Sequence, residues 1–198
     1  MTEPKKRVAI LISGRGSNME ALIAAAKSPD YPAQIVGVLA SRPDAPGLRT
    51  AASHGIPTAW RWHKDYPNRI GFELAISDVL KLWRPDIVAL AGFMRILTPE
   101  FVGKWQGRLI NIHPSLLPLH RGLDTHAAAL AAGDKEHGCT VHFVSPGVDE
   151  GPAILQARVP VLPGDTPDTL AERVLVEEHR IYPEALALVA RGEATYPG

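Results

Sequence analysis

The chain has 198 residues, and its 21 lysines and arginines are balanced by 21 aspartates and glutamates. This length suits one domain, spanning residues 1–198, whose core is large enough to fold without a disulfide or metal. The neutral balance argues against nucleic acid as the main partner, because such proteins usually carry a basic excess. Cys139 is the single cysteine, which excludes an intramolecular disulfide, and its alternating surroundings favour a buried strand position over a nucleophile.

The N-terminal sequence MTEPKKRVAILIS places a short apolar run after basic residues. The run is too short to span a membrane, and it leads into GRGSN rather than into a small-residue cleavage site. We therefore expect a cytoplasmic protein with no membrane partner.

Strands alternate with helices along the first half of the chain. Apolar runs predict strands at 8–12, 34–40, 57–60, 86–91 and 109–113, and helical spacing predicts helices at 18–27, 45–54 and 70–83. This alternation is typical of a parallel sheet that is covered by helices on both faces.

The second half changes character after a predicted helix at 125–132. Two extended runs, 139–145 and 154–161, follow each other without a helix between them, which predicts an antiparallel hairpin. A long final helix is predicted at 166–190, and Pro183 is expected to kink or divide it. The predicted fold is thus a doubly wound α/β domain with a mostly parallel sheet, a C-terminal antiparallel element and a long final helix.

Two polar side chains lie at the end of the fifth predicted strand, within LINIHPSLLP. Asn111 and His113 are two residues apart, so they face the same side of the strand. An open α/β sheet binds its ligands at this edge, where an amide beside an imidazole would hold an oxyanion and handle a proton. The alternative is a strand end whose polar groups are satisfied by a turn.

The segment GRGSN lies between the first strand and the first helix. Glycines let the backbone approach a ligand, and the N–H groups at a helix start bind anions. The segment is neither a Walker A loop nor a GxGxxG dinucleotide motif. We favour an anion site over a tight turn in which Ser17 or Asn18 merely caps the helix.

Two loops carry further candidate residues. Asp149 lies in SPGVDEGP beside Glu150, and a partnership with His113 would favour the charged form of the imidazole; the alternative is a solvated loop acid. The segment GFMRILTPEF follows the fourth strand, where an apolar wall would suit a flat heteroaromatic ligand. Met94, Ile96 and Leu97 are otherwise ordinary core residues.

Metal and serine-nucleophile sites are rejected on their spacing. The histidines show no HExxH motif and no Cys/His cluster; the six considered are His113, His120, His126, His137, His142 and His179. Ser115 lacks a GxSxG elbow. We therefore expect no metal.

The motifs GRGSN, LAGFMRIL, LINIHPSLLP, HGCTVHFV and VDEGPAILQ together resemble those of the phosphoribosylglycinamide formyltransferases, the folate-dependent enzymes of purine biosynthesis. The resemblance runs in order from Val8 to about Tyr182. The segment LLPLHRG also resembles methionyl-tRNA formyltransferase, but that second resemblance is local. The main resemblance assigns no role to Arg15, Arg121 or Asp124.

The resemblance implies a function and a set of site residues. The substrates would be glycinamide ribonucleotide and 10-formyltetrahydrofolate, the latter as co-substrate and without a metal. The implied catalytic residues are Asn111, His113 and Asp149. The implied phosphate and ribotide contacts are Gly16, Ser17, Asn18 and Glu178. The implied folate contacts are Arg69, Met94, Arg95, Ile96, Leu97, Asn111, Val144, Ser145, Val148 and Asp149.

This assignment places the nucleotide-binding half at about 1–100 and the folate and catalytic half at about 101–198, in a monomer or weak homodimer. Two other functions stay open at this point. One is formyl transfer to another small amine, such as an amino sugar nucleotide. The other is a non-catalytic module that binds a nucleotide or folate, which would leave Asn111, His113 and Asp149 without a purpose.

Overall fold

The computed structural model describes residues 4–197, and its centre is a single sheet of seven strands. The strands are β1 (Lys6–Ile12), β2 (Ala33–Ala40), β3 (Thr58–Trp60), β4 (Ile87–Leu90), β5 (Leu109–His113), β6 (Glu136–Phe143) and β7 (Ala153–Pro160). Their order across the sheet is β3-β2-β1-β4-β5-β6-β7. Neighbouring strands from β3 to β5 are parallel, whereas β5–β6 and β6–β7 are antiparallel. The predicted fold class is confirmed.

Helices cover both faces of this sheet. They are α1 (Ser17–Ala26), α2 (Pro46–Ser53), α3 (Arg69–Trp83), α4 (Pro99–Lys104), α5 (Thr125–Ala132) and α6 (Pro167–Ala190), with a short 3-10 helix at His63–Asp65. Alternate residues of β1 enter two separate hydrophobic clusters, with Ile10 in one and Leu11 in the other. This division follows from the two-residue period of a strand. Within residues 4–197, no helix is long and apolar enough to cross a membrane.

The final helix differs from its prediction at Pro183. Helix α6 runs unbroken from Pro167 to Ala190 with Pro183 inside it, so the expected division is wrong. A proline removes one helical hydrogen bond, but the residues around it are buried against the sheet: Ile181, Tyr182, Ala185 and Leu186. Tyr31 also donates a hydrogen bond to the Pro183 carbonyl at 2.8 Å. Tertiary packing therefore holds the helix together across the proline.

Helix α4 was not predicted, although its start has a recognisable signal. Thr98 is the N-cap and accepts a hydrogen bond from the Phe101 N–H, and Pro99 occupies the first helical position. Threonine followed by proline is a common helix start. The carboxylate of Glu73 in α3 accepts from the Thr98 N–H at 2.6 Å, which fixes the position of this short helix.

Gly138 in β6 supports the hairpin that completes the sheet, and its replacement should be destabilising. A Cβ at Gly138 would lie 1.9 Å from the Ala157 carbonyl oxygen, so β7 would have to move. We expect Gly138→Ala to lower the free energy of unfolding by about 1–3 kcal/mol, as overpacked cores do. Urea denaturation measures this change. Gly103→Ala is the control, because a Cβ there meets nothing within 4 Å; equal effects of the two changes would contradict the prediction.

Candidate active site

The ends of β1, β4 and β5 lie at one edge of the sheet, where parallel α/β sheets bind ligands. A cavity of about 400 Å³ opens there. It is lined by the loop after β1, the start of α1, the end of β2 and the loop after β4: Ser13, Gly14, Arg15, Gly16, Ser17, Asn18, Ser41, Arg42, Ala91, Gly92, Met94 and Arg95. The predicted anion loop and part of the predicted apolar wall therefore share one cavity.

The GRGSN loop enters α1 through a left-handed turn at Gly16. Gly16 is the N-cap and has a φ of 76°, a left-handed conformation that favours glycine. No side chain among residues 4–197 caps this helix end, so the alternative in which Ser17 or Asn18 serves as the cap is wrong. An uncapped helix start of this kind is the arrangement in which backbone N–H groups bind anions in other proteins.

Asn18 reaches across the structure to Glu178 in α6. Its Nδ2 donates to Glu178 Oε2 at 2.6 Å, which joins the two residues that the resemblance assigns to the ribotide. Glu178 is only 8% exposed. Burial raises the pKa of Glu178, and the hydrogen bond from Asn18 opposes this effect. The buried Asn18 Oδ1 has no hydrogen-bond partner within residues 4–197, so this pair leaves one acceptor free.

The three predicted catalytic residues come together with His142 in a group that we call the Asp149 cluster: Asn111, His113, His142 and Asp149. His113 Nδ1 lies 3.3 Å from Asp149 Oδ2, and His142 Nε2 lies 3.7 Å from Asp149 Oδ1. Asn111 Nδ2 lies 3.3 Å from His142 Nε2. The interpretation of Asp149 as a merely solvated loop acid is therefore wrong.

The partners of each histidine ring indicate which nitrogens carry protons. His113 Nε2 lies 3.0 Å from the His120 carbonyl oxygen, and His142 Nδ1 lies 2.9 Å from the Phe143 carbonyl oxygen. A carbonyl only accepts, so both of these ring nitrogens must donate. Both nitrogens of His113 then face hydrogen-bond acceptors, and a ring with a proton on each nitrogen can donate to both. His142 Nε2 accepts from the Asn111 amide when its ring is neutral.

Asp149 is held in an unusual backbone conformation and stays ionised. Its φ is 52°, and its Oδ2 accepts a hydrogen bond from the Gly122 N–H at 2.9 Å. Burial by itself raises the pKa of Asp149. Contact with His142, the hydrogen bond from Gly122 and the positive charge of His113 outweigh burial and hold this pKa below its ordinary value. The cluster thus supplies a carboxylate beside an imidazole at neutral pH.

Residues 6–186 match the family model described as formyl transferase. The chain belongs to the formyl transferase family. It is 45% identical over 185 residues to phosphoribosylglycinamide formyltransferase from Escherichia coli (strain K12), covering 93% of this chain and 87% of that protein. This relative belongs to the group that the sequence motifs resemble, so the recognition of the phosphoribosylglycinamide formyltransferases is confirmed.

Solved structures and longer relatives agree with this formyl transferase assignment. The structure of phosphoribosylglycinamide formyltransferase from Brucella melitensis has a TM-score of 0.91 and 51% identity, covering 98% of this chain and 100% of that chain. Glycinamide ribonucleotide transformylase 1 from Symbiobacterium toebii has a TM-score of 0.96 and 43% identity, covering 100% and 93%. The trifunctional purine biosynthetic protein adenosine-3 of Bos taurus is 53% identical over 96% of this chain, which spans 19% of its length.

The predicted folate residues of this formyl transferase fall into exposed and buried groups. Met94 and Ile96 are 63% and 61% exposed in the loop after β4, whereas Leu97 is 7% exposed and packs in the core. Met94 is fixed by a hydrogen bond from its N–H to Ser13 Oγ at 2.8 Å. Arg95 lines the cavity beside it. The structure thus separates side chains open to a ligand from Leu97, which supports the loop from beneath.

Three further predicted folate residues lie in or next to the loop that carries Asp149, and a fourth, Arg69, lies in α3. Val148 is exposed beside Asp149, while Val144 and Ser145 are half-buried between β6 and that loop. Arg69 is exposed at the first position of α3. Among residues 4–197, no group of three or more His, Cys, Asp or Glu side chains is arranged to hold a metal ion.

His142 is the member of the Asp149 cluster that the sequence analysis did not assign. It lies opposite Asn111 in the antiparallel register of β5 and β6, and it is almost fully buried. The available signal was a histidine inside the alternating strand GCTVHFV, because a buried polar side chain needs a partner. Its partner could not be named before the register was known.

Proposed function

We propose that this protein transfers the formyl group of 10-formyltetrahydrofolate to the amine of glycinamide ribonucleotide. The products are formylglycinamide ribonucleotide and tetrahydrofolate. The observation that carries this proposal is the Asp149 cluster, where His113, at the end of β5, contacts Asp149 at 3.3 Å. The motifs and the named relatives support the same reaction.

The cluster provides the groups that a formyl transfer needs. The glycinamide amine attacks the formyl carbon, and the carbonyl oxygen gains negative charge in a tetrahedral intermediate. Asn111 donates one amide N–H to His142, which leaves its second N–H for this oxygen, while the positive charge of protonated His113 stabilises the negative charge that develops there. Removing one such donor typically slows a reaction by about a hundred- to a thousandfold.

Asp149 completes the proton balance of the reaction. The amine loses a proton as it forms the new C–N bond, and the leaving N10 of the folate gains one as its bond to the formyl carbon breaks. The ionised Asp149 stabilises the positive charge of His113. An ordered water held by this pair would carry the proton from the amine to the leaving nitrogen.

The anion loop would orient the acceptor by binding its phosphate. Gly16, Ser17 and Asn18 line the cavity at the start of α1, and Glu178 joins them through Asn18. A phosphate held by the first-turn N–H groups gains from the helix dipole. Binding energy at this remote group would hold the amine in line with the formyl carbon.

The loop after β4 fits one face of a folate ring. Its exposed Met94 and Ile96 give an apolar surface, and Val148 of the Asp149 loop adds a third exposed apolar side chain. An apolar wall with nearby backbone groups is what a flat heteroaromatic ligand requires. We therefore assign folate binding to this loop, to the Asp149 loop and to Arg69 and Arg95.

The direct test mixes the purified protein with 10-formyltetrahydrofolate and follows release of the folate by absorbance, with and without glycinamide ribonucleotide. We expect release that depends on the acceptor, with formylglycinamide ribonucleotide identified by mass. Release without the acceptor would indicate a hydrolase instead. If neither condition gives release, the proposed acceptor is wrong, and other phosphorylated amines are the next substrates to assay.

Glu178→Gln should stabilise the protein while weakening acceptor binding. The change removes a buried charge, and the new amide N–H can donate to Asn18 Oδ1, which now lacks a partner among residues 4–197. We expect the free energy of unfolding at pH 7 to rise by about 1 kcal/mol. We expect KM for glycinamide ribonucleotide to rise by about tenfold, the loss of one charge-assisted hydrogen bond.

The pH dependence of this effect has a definite sign. The folded-state pKa of Glu178 lies above its unfolded value. As the pH rises from the unfolded to the folded pKa, ionisation of Glu178 therefore lowers the free energy of unfolding, and above the folded pKa this loss is complete. The gain in stability should therefore disappear below about pH 4, where Glu178 is protonated in both states. Glu177→Gln is the control on the same helix, since Glu177 pairs with Arg180 near the surface. A destabilised Glu178→Gln protein would contradict the prediction.

A further inference from the structure

The loop between β5 and α5 contacts two members of the Asp149 cluster through its backbone. The His120 carbonyl accepts from His113 Nε2 at 3.0 Å, and the Gly122 N–H donates to Asp149 at 2.9 Å. His120 has a φ of 49°, a left-handed conformation that is uncommon outside glycine. The orientation of the His113 ring therefore depends on a strained residue that must itself be held in place.

The side chain of His120 is held by Asp134, just beyond the end of α5. His120 Nε2 lies 2.6 Å from Asp134 Oδ2, and both side chains are mostly buried. Asp134 is fixed in turn, because its N–H donates to the Ala129 carbonyl of α5 at 3.1 Å. A continuous path of contacts thus leads from α5 through Asp134 and the backbone of His120 to the ring of His113.

The titratable and charged groups nearby do not displace the contact between His120 and Asp134. The ring centroid of His137 lies 6.1 Å from that of His120. Burial, with His126 and His120 nearby, lowers the pKa of His137 to about 4, so His137 is neutral at pH 7 and faces His120 as an uncharged edge. Arg121 points elsewhere and pairs with Glu150 at 2.9 Å.

We propose that His120 and Asp134 are positioning residues that fix the His120 carbonyl and, through it, the catalytic ring of His113. Neither side chain contacts the reacting atoms. This role rests on the proposed formyl transfer, in which the positively charged ring of His113 must lie beside the formyl oxygen. A ring held by both Asp149 and the His120 carbonyl is preorganised, whereas a ring held by Asp149 alone is free to tilt about that contact.

Three variants and a control separate positioning from general support of the fold. Asp134→Ala removes the contact between Asp134 and His120 by deleting the carboxylate. His120→Asn removes the same contact by shortening the other side chain, because asparagine tolerates the left-handed backbone but is too short to reach Asp134. Asp134→Asn keeps a hydrogen-bond acceptor and is the conservative rescue. Glu136→Ala is the control, since it deletes a nearby carboxylate whose ion pair with Arg158 is exposed.

The measurements are kcat, KM for both substrates, the thermal midpoint, and the ring ¹⁵N NMR signals of His113. We expect Asp134→Ala and His120→Asn to lower kcat by about tenfold or more, as small misplacements of catalytic groups do. KM should stay within about twofold, since substrate contacts are retained. The His113 ring signals should shift in both variants, and Asp134→Asn should recover most of kcat.

Two results would overturn the role. One is an unchanged kcat in Asp134→Ala or His120→Asn. The other is a loss of kcat and KM together with a large fall in the thermal midpoint, which would indicate that the pair only supports the fold. A wild-type protein without formyl transfer would instead refute the proposed function, and the ring signals would still report whether the pair orients His113.

Discussion

Replacing His113 with alanine is expected to lower kcat by about a thousandfold while the protein stays folded and binds both substrates. The ring carries the positive charge of the Asp149 cluster, and one positioned electrostatic group at a reaction centre contributes about a hundred- to a thousandfold. Its contacts are to Asp149 and to the His120 carbonyl, neither of which lies in the cavity formed by the anion loop. Substrate affinity should therefore change little.

Steady-state kinetics give kcat, and titration calorimetry gives the dissociation constant of each substrate separately. His54→Ala is the matched control, because His54 is an exposed histidine at the end of α2. We expect this control to match the wild-type protein in both measurements. A His113→Ala protein with unchanged turnover would remove His113 from the mechanism. If the wild-type protein also has no turnover and the variant still binds both ligands, the non-catalytic binding module is favoured.

Asp149→Asn is expected to lower kcat by about a hundredfold, the scale of one lost electrostatic contact at a reaction centre. The change keeps the size of the side chain and an acceptor for the Gly122 N–H. It removes the negative charge that faces the His113 ring at 3.3 Å, and with it the electrostatic stabilisation of a positive charge on that ring. The pH–rate profile should therefore change its shape as well as its height.

The same change should alter the dependence of stability on pH. Because the folded-state pKa of Asp149 lies below its unfolded value, the ionised carboxylate stabilises the folded protein at neutral pH. This contribution is lost as the pH falls from about 4 through the lower folded pKa. Urea denaturation at pH 7 and pH 3 should show a wild-type advantage over Asp149→Asn that is larger at pH 7 than at pH 3.

Glu150→Gln is the control for Asp149→Asn and also tests a paired-carboxylate interpretation. Glu150 is the next residue, but it is exposed and pairs with Arg121 at 2.9 Å. Exposed pairs contribute about 0–1 kcal/mol, and Glu150 has no contact with His113. We expect kcat to stay within about twofold of the wild-type value. A loss equal to that of Asp149→Asn would show that both carboxylates act in the reaction.

Local patterns determined most of the secondary structure. The strand predicted at 109–113 has the observed bounds, Leu109–His113, and the helix predicted at 125–132 matches Thr125–Ala132. Hydrophobic periodicity is a property of neighbouring residues, so it can be read without the fold. The same period placed Asn111 and His113 on one face of β5. Motif order then identified the family, which the family model and the named relatives confirm.

Contacts between distant segments were decided only by the tertiary structure. Asn18 and Glu178 are separated by 160 positions, yet Asn18 Nδ2 lies 2.6 Å from Glu178 Oε2. His142 faces Asn111 only through the register of β5 and β6. Such contacts depend on strand register and loop path, which are set by packing over the whole domain. The unbroken α6 has the same origin, because buried neighbours outweigh the hydrogen bond lost at Pro183. The sequence by itself therefore determined the elements, the family and most of the candidate site residues, while only packing decided which of those side chains meet.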